Sequence, residues 1–112
     1  MLTEEFLEKA TSFQRIRGTH EAMLAILRSG MFYTLAEQIP NLAELDIPTL
    51  IIWGREDRAT PLAVGERLHG LLPNAEWVVM DSAGHLPNYE EAEEFNRLAI
   101  EFLTTGKLSR SA

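Results

Sequence analysis

Apolar positions in the first forty residues recur at three- and four-residue steps. Leu2, Phe6, Ala10, Phe13 and Ile16 make one stripe over residues 2–17, the spacing of a helix with one buried face. Gly18 interrupts it. Thr19 then stands where an N-cap oxygen accepts from the first free backbone amides, with Glu21 favourable in the first turn. Met23, Leu24, Ile26 and Leu27 predict a strongly apolar helix that stops at Ser29-Gly30. Phe32, Leu35, Ala36 and Ile39 repeat the spacing over 31–39, and Pro40-Asn41 closes the segment. This block carries no strand signal.

The pattern changes after Leu42. Pro48 pushes Ile47 into extended geometry, and residues 49–53, Thr-Leu-Ile-Ile-Trp, are apolar without alternation. Such a run predicts a strand buried on both faces, as in a parallel sheet. Pro61 opens a helical segment striped by Val64, Leu68, Leu71 and Leu72, which Pro73-Asn74 breaks. Residues 75–80 predict a second strand. A last helix follows over 91–103, with Phe95, Leu98, Ala99, Phe102 and Leu103 on one face. Strand, helix, strand, helix at this spacing is a right-handed β-α-β-α unit. The expected class is therefore α/β with two parallel strands, organised as a helical segment 1–40, a β-α-β-α unit 41–106 and a frayed tail 107–112. Two strands that are apolar on both faces need further neighbours to make a stable sheet.

Composition narrows the function classes. The 112 residues suffice for one small domain. Seventeen acids against ten bases give a net charge of −7. That excludes the basic face a nucleic-acid partner requires. Cysteine is absent, which removes disulfides, thiolate nucleophiles and cysteine-bound zinc. Acids near the start, Glu4 and Glu5, are unlike a signal peptide, and no apolar run approaches the ~20 residues of a membrane span. The expectation is a soluble, cytoplasmic chain with no membrane contact.

In an open α/β sheet, functional groups collect beyond the carboxyl ends of the strands. Asp57 lies four residues after Trp53, across a turn opened by Gly54, and His85 lies five residues after Met80, with Gly84 beside it for a sharp turn. If the strands are neighbours, the two loops emerge side by side. A carboxylate would then fix the tautomer of the imidazole and stabilise its protonated form. Taken singly, each residue has a plainer reading: Asp57 as a turn former bonding its own backbone, His85 as a loop histidine. Their shared position in consecutive β-α units favours the pair. His20 and His69 have no second ligand at metal spacing and read as surface helix residues. Glu90, Glu91, Glu93 and Glu94 crowd the start of the last helix, where carboxylates favour the positive end of the dipole. Trp53 and Trp77 fall on strands and read as core. No Gly-rich phosphate loop occurs, so neither a metal nor a cofactor is expected.

From Leu45 to Leu103 the chain resembles the C-terminal third of an α/β-hydrolase. The residues that carry the likeness are Pro48 to Asp57, Pro61, Pro73-Asn74-Ala75, Gly84-His85-Leu86-Pro87 and Glu90. The resemblance implies a partial α/β-hydrolase fold, with Asp57 as the triad acid, His85 as the general base, and residues 1–40 as the end of a helical cap. It also implies a serine in a G-x-S-x-G elbow upstream of the acid. No such motif is present. Ser12 and Ser29 sit on helical segments without flanking glycines, and Ser82 lies three residues before His85. The resemblance therefore implies hydrolysis of an ester, amide or related bond in a longer relative, and a small-molecule substrate only if the missing N-terminal part is supplied. These 112 residues alone, truncated relative to the family pattern, are expected to be inactive. The alternative is a non-catalytic module that oligomerises, or pairs with a complementing chain, through its exposed sheet edge.

Overall fold

A computed structural model describes residues 3–30 and 37–109. By its contacts the chain divides into two compact units, Met1–Gln38 and Ile39–Ala112. In the first, the Thr3 hydroxyl oxygen accepts from the Phe6 N–H at 3.2 Å, and helix α1 runs Glu4–Thr11. A 3-10 turn, Ser12–Arg15, extends it. Gly18, at a φ of 89°, breaks the path before helix α2, Thr19–Arg28. Thr19 does not cap in the expected way: it is the first residue of α2, and its hydroxyl donates back to the Phe13 carbonyl at 2.9 Å. Neither α1 nor α2 has a buried residue. Most of the helix expected over 31–39 lies outside the described residues.

The second unit begins with a short helix α3, Ile39–Ala43. Pro40 does not close a helix but sits in the first turn of this one, where its missing N–H costs nothing. Strand β1, Leu50–Gly54, helix α4, Leu62–Leu71, and strand β2, Glu76–Met80, follow. The strands pair in parallel, with Leu50 opposite Glu76 and Gly54 opposite Met80. Alternation places Ile51, Trp53, Trp77 and Val79 on one face and Leu50, Ile52, Val78 and Met80 on the other.

Helix α4 covers the first face at very close range. A Cβ on its Gly65 would lie 2.5 Å from the Trp53 ring and 2.7 Å from that of Trp77. His69, one turn on, stacks on Trp77 with ring centroids 5.5 Å apart and planes 7° apart. It is half-buried rather than a surface residue. Beyond β2, a short helix α5, Pro87–Glu90, precedes α6, Ala92–Thr105, which ends at Gly106 with a φ of 74°. Phe95, Ala99, Phe102 and Leu103 of α6 face Leu50 and Ile52 across an apolar cleft of about 390 Å³. After Gly106, both the N–H and the hydroxyl of Ser109 donate to the Glu101 carboxylate.

Among the described residues the buried apolar side chains are Ile51 and Met80 on the strands, Ala83 in the loop after β2 and Leu98 on α6. The same residues contain no helix long and apolar enough to cross a membrane.

The tightest point is where the chain after β2 passes over the end of β1. A Cβ on Gly54 would lie 2.0 Å from the Gly84 carbonyl oxygen and 2.5 Å from that of Ala83. Gly54→Ala should therefore lower the unfolding free energy by about 2 kcal/mol or more through overpacking. Gly70→Ala, where an added Cβ meets nothing within 4 Å, should leave stability unchanged or raise it by up to ~1 kcal/mol. Urea denaturation of both variants checks the contrast, and equal effects would sink it.

Candidate active site

Both strands end at the same edge, and the loops that leave them are stitched together through the backbone. The Arg55 N–H donates to the Met80 carbonyl at 3.0 Å, and the Glu56 N–H to the Ala83 carbonyl at 3.0 Å. Arg55 Nε adds a 2.6 Å ion pair to Asp81 Oδ1. Ala83, at 0% exposure, plugs the seam. Neither Gly54 nor Gly84 has a positive φ; the described glycines that do are Gly18, Gly30 and Gly106. Gly84 was expected to supply a sharp turn. The chain does bend at His85 beside it, and the Gly84 N–H donates to Glu90 Oε2, an oxygen that a Cβ on Gly84 would approach to 3.2 Å. Glu90 therefore belongs to this loop rather than to the dipole of α6.

The stitched loops bring Asp57 and His85 together. His85 Nδ1 lies 2.9 Å from Asp57 Oδ2 and 3.1 Å from Oδ1. Asp57 is also a turn former. Its Oδ1 accepts from the Ala59 N–H at 2.9 Å and the Thr60 N–H at 2.8 Å, and its Oδ2 from the Thr60 hydroxyl at 2.8 Å. The bonds of the turn and the contact with His85 are thus made by the same carboxylate. The side chain of Asp57 is 6% exposed and that of His85 55%, so the carboxylate sits beneath an accessible imidazole.

Burial alone would push the Asp57 carboxyl upward. The Thr60 N–H, His85, the Thr60 hydroxyl and the Ala59 N–H outweigh it and bring the pKa from 3.8 down to about 2. An ionised carboxylate only accepts, so the proton between the pair resides on Nδ1 and Nε2 keeps its lone pair. The arrangement can hold an imidazole in one tautomer and stabilise its cation when Nε2 takes a proton.

The other candidates separate from this pair. The Ser12 hydroxyl donates to the Lys9 carbonyl at 3.0 Å and that of Ser29 to the Ile26 carbonyl at 2.7 Å. Ser82 lies exposed in the loop after β2. Among the described residues no three His, Asp or Glu side chains converge as a metal set. Sequence reasoning missed Thr60. Its signal was present: a threonine three residues after an aspartate is the spacing at which an Asx turn returns donors to the carboxylate.

The sequence profile of the alpha/beta hydrolase fold matches residues 8–92. The 2-hydroxy-6-oxononadienedioate/2-hydroxy-6-oxononatrienedioate hydrolase of Paraburkholderia xenovorans (strain LB400) is 47% identical over 64 residues, which cover 57% of this chain and 22% of that protein. Hydrolase 2 of the same name from Pseudomonas putida is 38% identical over 106 residues, covering 91% of this chain and 36% of the relative. Among solved structures, MGS-MChE2, an alpha/beta hydrolase enzyme from the metagenome of lagoon sediments of Mar Chica, Morocco, aligns with a TM-score of 0.71 at 32% identity. That alignment covers 93% of this chain and 46% of the other. The chain thus spans 22% to 36% of the length of these two curated relatives.

The low pKa of Asp57 makes stability depend on acid. Its folded value lies below its unfolded one, so the ionised carboxylate stabilises the fold above the ordinary range. That contribution is lost as pH falls through 3.8 toward about 2. It amounts to about 2 kcal/mol. Urea unfolding of the wild type and of Asp57→Asn should differ by that order near pH ~6 and converge near pH ~2. A gap independent of pH would contradict the assignment.

Proposed function

The chain belongs to the alpha/beta hydrolase fold family, and on that footing we propose that Asp57 and His85 are the acid and the general base of a hydrolase site. The observation that carries the reading is the 2.9 Å contact between Asp57 Oδ2 and His85 Nδ1, made by two residues that lie past the ends of adjacent parallel strands. In this role His85 takes the proton of an attacking hydroxyl on Nε2 and returns it to the leaving group. Asp57 holds the tautomer and stabilises the imidazolium between the two steps.

The nucleophile and the oxyanion donors belong to a part of the fold that no motif of this chain supplies. The isolated 112 residues should therefore not turn over substrate. The similarity to 2-hydroxy-6-oxononadienedioate hydrolases supports a small 2-hydroxy-6-oxo unsaturated acid as the substrate of a complete enzyme built with this segment. The segment contributes proton transfer to such an enzyme.

A second reading has its own observation. Among the described residues β1 pairs on one side only, and the apolar cleft between Leu50, Ile52 and α6 lies open beside it. A segment with this surface could act as a pairing module without chemistry. Size-exclusion chromatography with light scattering separates the readings, because a well-folded monomer counts against a pairing module.

Two measurements test the hydrolase reading. A fluorophosphonate probe should leave every serine of the isolated chain unmodified, and stoichiometric labelling would contradict the absence of a nucleophile. Grafting this chain in place of the matching segment of the Pseudomonas putida hydrolase should give an enzyme that hydrolyses 2-hydroxy-6-oxononadienedioate. In that chimera Asp57→Asn or His85→Gln should each lower kcat by roughly 10³-fold or more. An active chimera indifferent to His85→Gln would overturn the assignment.

A further inference from the structure

Thr60 lies just before Pro61, which restricts its backbone to extended geometry. It is also tied at three atoms. Its carbonyl accepts from Trp53 Nε1 of β1 at 3.0 Å, its N–H donates to Asp57 Oδ1 at 2.8 Å, and its hydroxyl donates to Asp57 Oδ2 at 2.8 Å. The same hydroxyl oxygen lies 3.3 Å from His85 Nδ1. A threonine hydroxyl has one proton to give. The shorter contact to an ionised carboxylate takes it, which leaves a lone pair toward the Nδ1–H.

We propose that Thr60 is a positioning residue of the acid–histidine pair, its hydroxyl holding Asp57 Oδ2 against His85 Nδ1. The proposal rests on the reading of Asp57 and His85 as acid and base. The argument is geometric. The Ala59 and Thr60 N–H groups both meet Oδ1, so neither fills the acceptor positions of Oδ2. Oδ2 is the oxygen nearer the imidazole, and the Thr60 hydroxyl is the group besides His85 that meets it. Through the Trp53 bond this hydroxyl is anchored to the sheet itself, so strand β1 positions the carboxylate from below while the seam with the β2 loop positions the histidine from above.

The test uses the 112-residue chain and nuclear magnetic resonance. In Thr60→Val, which keeps the shape and removes the hydroxyl, the carboxyl carbon of Asp57 should titrate at higher pH than in the wild type. The His85 Nδ1–H should exchange with water faster by about tenfold, the loss of one hydrogen bond. Thr60→Ser should restore both. Wild-type behaviour in Thr60→Val, or valine-like behaviour in Thr60→Ser, overturns the proposal.

A measurement on the unmodified chain stands independently of whether the valine variant folds. Three-bond couplings at Thr60 should report a single χ1 rotamer above the Asp57 titration, and rotamer averaging at neutral pH overturns the proposal. Asp57→Asn separates this inference from its parent. If it leaves the exchange of Nδ1–H unchanged, the pair itself fails. If it accelerates exchange while Thr60→Val does not, only the role of Thr60 fails.

Discussion

The backbone at Ala83 and Gly84 passes over Gly54 with no space for a side chain between them, and the geometry of the site follows from that contact. A Cβ at position 54 would overlap the Gly84 carbonyl oxygen at 2.0 Å. Once the loops are this close, the Glu56 N–H reaches the Ala83 carbonyl and the Arg55 N–H reaches that of Met80. The separation of Asp57 from His85 is then set by backbone hydrogen bonds between two strand ends, not by the reach of flexible side chains. Such preorganisation removes the cost of bringing the two side chains together from separate positions.

The electrostatics depend on the same closeness. A carboxylate that is 6% exposed would ordinarily be driven toward its neutral form. Asp57 stays ionised because three donors from its own turn and one from His85 converge on its two oxygens. Water is largely replaced by fixed dipoles, so the attraction between this charge and an imidazolium above it is screened less than on an open surface. Arg55 and Asp81, by contrast, form their ion pair with both side chains more than half exposed. That pair contributes little energy on its own, and its use is to tie the two loops.

The parts of this arrangement that could be read from the sequence are those governed by local pattern. The short apolar runs around Ile51 and Val78 placed both strands to within a residue, because β-branched and aromatic residues in a run too short for a helix favour extended chain. Pro61 marked the start of α4 by its fixed backbone preference, whereas the last helix runs two residues past the expected Leu103, to Thr105. What escaped was decided by contacts between distant segments. Helix α5 has four residues, too few for periodicity to register. Glu90 looked like a residue serving a helix dipole, and its partner is the Gly84 N–H across the loop. Gly54 was read as the opening of a turn, and what the sequence did not reveal is that the loop after β2 leaves no room for a side chain there. Thr19 and Pro40 were given the usual meanings of their residue types, and neighbouring backbone assigned them others. Asp57 invited two readings, a turn aspartate and a partner of His85, and the structure gives it both sets of contacts. The hydrogen bonds of the turn are what keep the carboxylate ionised and aimed.

This leads to a distinction between the sheet and the site. The sheet is thin: among the described residues it has two strands, few fully buried apolar side chains, and a cleft between β1 and α6 whose walls are hydrocarbon. Its stability depends on how much apolar surface is covered, a quantity that grows with every added layer. The acid–histidine pair depends on something else. The hydrogen bonds that orient it lie within residues 53–60, within residues 80–90, or between these two stretches of chain, and none of them reaches across the open cleft. The constraints on the pair are thus satisfied within the second unit by short-range bonds around one backbone crossing. A fold can in this way keep an acid–histidine pair geometrically self-contained, while the energy that holds its sheet together is drawn from a wider set of contacts.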